Sequence, residues 1–133
     1  LKEDDIWVLV LHRLKQAETT LEDARYLLDG HRSPQSIINR SYYAMFYAVL
    51  ALLQKSGRVP SKHTGAVSLF DTEFVSKGLF SKELSRELHR AFELRQISDY
   101  KTLDSPPFEK AEEIWKKAAD FIASVKEYLN PDI

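Results

Sequence analysis

Asn39-Arg40-Ser41-Tyr42-Tyr43-Ala44-Met45-Phe46-Tyr47-Ala48 is the stretch on which the fold turns, because it sets an arginine and three tyrosines inside an otherwise apolar helical run. Outward from it, Ile37, Ile38, Ala44, Met45, Phe46, Ala48, Val49, Leu52 and Leu53 spread around much of a helical circumference instead of forming one stripe. A helix that is apolar on most sides belongs at the centre of a bundle. Ser33 followed by Pro34 marks its start, since serine accepts from orphan amides and proline has no amide to leave unsatisfied. The helix is expected to reach about Ser56, with Gly57 and Pro60 ending it.

The flanking segments read as further helices. Leu14, Ala17, Leu21, Ala24 and Leu28 recur at spacings of three and four, which predicts an amphipathic helix over 4–29 stopped by Gly30. After the central helix, a shorter one is expected from about Ser61 to Ser76, with Ala66, Val67, Phe70 and Phe74 inward and Gly78 closing it. Ser81 is the predicted N-cap of a fourth helix ending at Tyr100, with Leu84, Leu88, Ala91, Phe92 and Leu94 apolar. Asp104-Ser105-Pro106-Pro107 then interrupts the pattern. With Ser105 as cap and Pro106 in the first turn, a fifth helix presents Phe108, Ala111, Trp115, Ala118, Ile122, Val125 and Leu129 before Asn130-Pro131. No alternating run is long enough for a strand, and no repeat or linker divides the chain. The expectation is one all-α domain over 1–133, an antiparallel bundle of about five helices with short connections.

Composition narrows the function. The 133 residues suit a single core, and 44% hydrophobic with 29% charged residues is too apolar for disorder and too interrupted for a membrane span. Cysteine is absent, which excludes disulfides and thiolate metal sites and fits a reducing compartment; the chain reads as cytoplasmic, with no membrane partner. Leu1-Lys2-Glu3-Asp4-Asp5 lacks the basic flank and apolar core of a signal peptide, and an opening without methionine is expected of a trimmed start. A net charge of -1 argues against broad attraction to polyanions, leaving room for a local basic stripe. Neither His63 nor His89 has a second histidine at metal-ligand spacing, so no metal and no cofactor are expected.

Asn39-Arg40-Ser41-Tyr42-Tyr43-Ala44-Met45-Phe46, Lys62-His63-Thr64-Gly65, Phe74-Val75-Ser76-Lys77-Gly78 and Arg95-Gln96-Ile97-Ser98-Asp99-Tyr100 together, in this order, resemble the HEPN family in its small stand-alone prokaryotic branch. The resemblance implies a helical bundle, commonly a homodimer, often paired with a minimal nucleotidyltransferase in two-gene modules of toxin-antitoxin type. Many members of that family are metal-independent endoribonucleases. That activity is tied to an arginine followed after four to six residues by a histidine. Here the arginine maps to Arg95, Tyr100 stands where the shortest-spaced histidine would stand, Gln96 takes a place the family fills with a small polar or acidic residue, and no histidine follows downstream. Imidazole titrates near neutrality, whereas an ordinary phenol with a pKa of about 10 is a poor base there.

The residues support functional and purely structural readings side by side. Arg40, Tyr43 and Tyr47 share one face of the central helix, where a phosphate or base could sit; alternatively, Arg40 neutralises a buried carboxylate while the tyrosines pack. Arg95 can pair bidentately with phosphate or form an intrahelical ion pair with Asp99. Tyr100, five residues on, points about 140° from Arg95 on a regular helix, so the two converge on one ligand only if the helix end unwinds or a second subunit contributes. Lys82, Arg86 and Arg90 form a basic stripe, but Glu83 and Glu87 each precede an arginine by three residues, which favours a solvated, paired face. His63 at a helix start reads as a capping or surface residue, or as a replacement base brought across in space, and His89 reads as structural.

The preferred expectation is therefore a non-catalytic HEPN-type module that binds nucleotide, RNA or a nucleotidyltransferase partner through Arg40, Tyr43, Tyr47, Arg95, Asp99 and Tyr100. One alternative is a metal-independent endoribonuclease with an atypical Arg-x4-Tyr site, for which Arg95, Tyr100 and His63 are the catalytic candidates. The other is a structural dimerisation or adaptor bundle, in which the polar cluster serves only fold specificity.

Overall fold

A computed structural model describes residues 2–58, 62–100 and 105–130, with the side chains of residues 64, 99 and 100 outside the described set. Five helices follow one another: α1 (Glu3–Asp29), α2 (Pro34–Lys55), α3 (His63–Phe70), α4 (Lys82–Tyr100) and α5 (Phe108–Leu129). A single π-helical turn, Asp71–Val75, continues α3. Among the described residues there is no strand, and no helix is long and apolar enough to cross a membrane.

α2 is the central element, as its encircling apolar pattern requires. It packs against α1, α3, α4 and α5, and Ile37, Ile38, Tyr42, Ala44, Met45, Ala48, Ala51 and Leu53 are wholly buried on it. Burying a large apolar side chain contributes about 1.5–3 kcal/mol, so this one helix supplies much of the drive for folding. The link between α1 and α2 is too short to span the bundle, and it folds α2 back along α1. Ser33 caps α2 as expected: its Oγ accepts from the Ser36 amide at 3.3 Å, with Pro34 in the first turn. α5 is tied to α1 by Trp115, whose Nε1 donates to the Leu21 carbonyl at 3.1 Å.

Three helix ends close with the same paired bonds, and each needs one residue in the left-handed region. After α2 that residue is Gly57 at φ 79°, with the Arg58 amide bonded to the Leu53 carbonyl at 2.8 Å. After the π turn it is Gly78 at φ 76°, with the Leu79 amide on the Phe74 carbonyl at 2.9 Å. After α1 the left-handed residue is His31 at φ 50°, not the adjacent glycine: Gly30 sits at φ -84° as the cap itself. The His31 ring is fixed edge-on to Phe108 at 4.6 Å, a contact glycine could not make.

Two other boundaries differ from expectation. Ser105 does not cap α5; Pro107 holds the cap position without a side-chain bond, and the helix begins at Phe108. Consecutive prolines force extended backbone before the second ring, which displaces the start beyond the serine. The third helix was expected to be one uninterrupted element to about Ser76, but its α portion ends at Phe70 and the π turn follows. Phe70 and Phe74 still reach the core, where they meet each other, Phe80 and Tyr128.

Candidate functional site

Tyr42 and Tyr43 are consecutive on α2 and so point in different directions, the first into the core and the second toward its margin. Tyr42 is completely buried and Tyr43 half-buried. α4 lays Arg95 across both: its guanidinium carbon is 5.5 Å from the Tyr42 ring centroid and 5.4 Å from that of Tyr43. Arg95 is only 9% exposed, so this cation is desolvated and the attraction of the ring faces is correspondingly strong.

Arg40, one helical turn before Tyr43, also stands over the Tyr43 ring, at 5.1 Å. Its Nε and Nη2 both donate to Asn39 Oδ1, at 3.1 and 2.9 Å. The buried carboxylate that the structural reading of Arg40 called for is absent among the described residues; an amide oxygen takes its place and leaves the positive charge uncancelled. Arg40 and Asn39 also border a surface depression of about 360 Å³, shared with Leu27, Gln35 and Ser36. Tyr47 continues the aromatic face, 6.3 Å from Tyr43.

The first residue of α3 completes the cluster. His63 stacks flat on Phe46, with centroids 4.1 Å apart and planes 2° from parallel, and its Nδ1 lies 3.3 Å from the Tyr42 hydroxyl. Burial, seconded by the Arg95 charge, lowers the His63 pKa below its ordinary value. Burial also pushes the Tyr42 phenol well above the ordinary range, outweighing the opposing pull of Arg95, so the hydroxyl keeps its proton. The fold thus brings Arg40, Tyr43, Tyr47, Arg95 and His63 into one neighbourhood. Asp99 and Tyr100 lie outside the described side chains, and the backbone of α4 stays helical to Tyr100.

Sequence reasoning assigned no site role to Tyr42 or Phe46, the two residues that hold His63. Apolar surroundings made both look like core, and only the pairing across α2 and α3 separates them from it. A second polar cluster was also missed. Asp71, at the start of the π turn, accepts from Ser85 Oγ at 2.6 Å and lies 2.6 Å from His89 Nε2. The carboxylate sits between hydroxyl and imidazole, so the order is not that of a nucleophile activated by a base. On α4, Arg86 pairs with Glu83 as predicted, but Glu87 pairs across to Lys117 at 3.5 Å and Arg90 reaches Glu93 at 3.9 Å. No cluster able to hold a metal ion occurs among the described residues.

The family model for the HEPN domain matches residues 10–128. The chain belongs to the HEPN domain family. Its relatives include a UPF0332 protein of Thermotoga maritima, 37% identical over 115 residues that cover 86% of both chains. They also include two proteins of Methanocaldococcus jannaschii. "Putative toxin MJ0605" is 33% identical across 85% of this chain and 83% of its own length, and "Putative toxin MJ0142" is 32% identical across 87% and 78%. In this HEPN chain Arg95 is anchored on aromatic rings of α2, next to a histidine that comes from α3.

Proposed function

We propose that this HEPN chain is a non-catalytic binding module that engages the phosphoryl groups of a nucleotide or RNA through Arg40 and Arg95. The observation that carries this reading is that both guanidiniums stand over one ring, that of Tyr43, with Arg40 beside a solvent-open depression. Two planar forks on a shared aromatic support suit bidentate pairing with phosphate oxygens. The half-buried Tyr43 and Tyr47 offer faces for a base. The chain has no histidine after Arg95 to exchange protons there, which favours binding over cleavage.

The module acts as a homodimer, in which the second subunit brings its Tyr100 to the site, and it works beside a minimal nucleotidyltransferase in a toxin-antitoxin-type pair. Two relatives named as putative toxins support the toxin-antitoxin setting. Calorimetry against adenosine monophosphate, a short single-stranded RNA and the product of the neighbouring gene tests the proposal. Binding that falls about tenfold in each of Arg40→Ala and Arg95→Ala is the expected result, as the loss of a charge-assisted contact implies. RNA cleavage that disappears with Arg95→Ala would establish an endoribonuclease using Arg95 with Tyr100 or His63. Failure to bind any probe would leave only the structural adaptor.

A further inference from the structure

We propose that His63 is a fixed-tautomer hydrogen-bond donor of the phosphoryl site: the Tyr42 hydroxyl donates into Nδ1, and Nε2–H is left to meet a phosphate oxygen beside Arg95. The inference rests on the phosphoryl-binding reading above and adds a residue from a different helix to it.

The argument starts at Tyr42. Its side chain is completely buried, and a buried hydroxyl proton must find an acceptor or cost the fold its full desolvation. Among the described residues its hydrogen-bond partner is His63 Nδ1, at 3.3 Å. If Nδ1 carried the proton and donated to the phenol oxygen, the phenol proton would have no acceptor among the described residues. The phenol is held protonated by burial, so it is the donor and Nδ1 the acceptor. The neutral ring then carries its own proton on Nε2, at the edge away from Tyr42.

Placement follows from the rings. Stacking on Phe46 with planes 2° from parallel fixes the plane of the imidazole, and the Nδ1 contact with the Tyr42 hydroxyl at 3.3 Å sets which edge faces the core. His63 and Arg95 lie against the same two tyrosines: His63 is 6.0 Å from the Tyr42 centroid and 5.3 Å from that of Tyr43, and the guanidinium carbon of Arg95 is 5.5 and 5.4 Å from them. The Arg95 charge is felt at the imidazole and disfavours a second positive charge there. A neutral N–H beside a guanidinium binds an anion without adding that repulsion. The donor pair suits a non-bridging phosphate oxygen, whether of a monoester or of a diester chain.

Nitrogen-15 correlation spectra of the full-length protein test this directly. Expected are a ring protonated on Nε2 and bare at Nδ1, loss of that preference in Tyr42→Phe, and movement of the Nε2–H signal on titration with inorganic phosphate, adenosine monophosphate or a short single-stranded RNA. His63→Gln, which keeps an N–H near the Nε2 position, should retain affinity, whereas His63→Phe should weaken it roughly tenfold, the worth of one net hydrogen bond. Response to the monophosphate alone assigns a monoester ligand, and response to RNA alone a diester chain. A ring protonated on Nδ1, or binding that depends on Arg95 but is unchanged in His63→Phe, overturns the inference and leaves the phosphoryl reading standing. Absence of binding by all three probes overturns both.

Discussion

Arg95 of α4 and Tyr43 of α2 meet with the guanidinium carbon 5.4 Å from the ring centroid, and Arg40 approaches the same ring at 5.1 Å. The two cations are therefore coupled through one side chain. Tyr43→Leu keeps the volume apolar but removes the ring quadrupole from both. We expect it to destabilise the fold by about 1–2 kcal/mol, the sum of two partly desolvated cation–π contacts. Urea denaturation measures this. Loss no greater than that of Tyr47→Leu would show that the ring face contributes nothing beyond packing.

Acid should weaken the fold at His63. Burial and Arg95 hold the folded imidazole below the ordinary 6.5, so as pH falls through that value the unfolded chain takes up the proton first and is favoured. Above it the ring is neutral in both states and the contribution is level. Thermal melts followed from neutral to mildly acidic buffer should show a steeper decline for the natural chain than for His63→Phe. Parallel declines would mean that the imidazole is charged without penalty.

Glu87 carries the opposite sign. Its side chain is only 13% exposed, and desolvation raises its pKa above the ordinary 4.5 despite Lys117 at 3.5 Å. Oε2 has no hydrogen-bond partner among the described residues. The folded chain thus binds the proton more readily, and stability contributed by the neutral acid is lost as pH rises through the folded value. Glu87→Gln should raise the melting temperature at neutral pH, and the gain should vanish below about pH 4. A variant that melts lower at neutral pH would show the Lys117 pair to outweigh the burial.

Gly57 and Gly78 tolerate no side chain cheaply, although nothing lies within 4 Å of a Cβ placed at either. The cost lies in φ, which is 79° and 76°. Each glycine-to-alanine change should destabilise by about 1–2 kcal/mol, additively because the two turns are separate. Equilibrium unfolding of the single and double variants tests both points.

How much of this was legible in the sequence depends on the range of the interaction. Local signals read true: Ser33 and Ser81 cap where their hydroxyls can reach an amide two or three residues on, and the encircling apolar pattern placed α2 at the centre. Arg40 and Tyr43 were paired correctly because three residues is one turn. The position of His63 was not legible, because Nδ1 meets a hydroxyl 21 residues away and periodicity says nothing of how α3 crosses α2. The same holds for Asp71 with Ser85 and His89. His31 was missed for a local reason: glycine normally takes the left-handed position, and here a ring contact with Phe108 moves it by one residue.

The widened turn at Asp71–Val75 sets the phase of everything that follows it. One amino acid beyond regular winding offsets later side chains by about 100°, and Phe70 and Phe74, four residues apart, keep their rings 6.1 Å from each other across it. Deleting a single residue there would leave a longer, smoother rod whose aromatic register no longer matched its neighbours, so this segment should accept substitutions far more readily than changes in length.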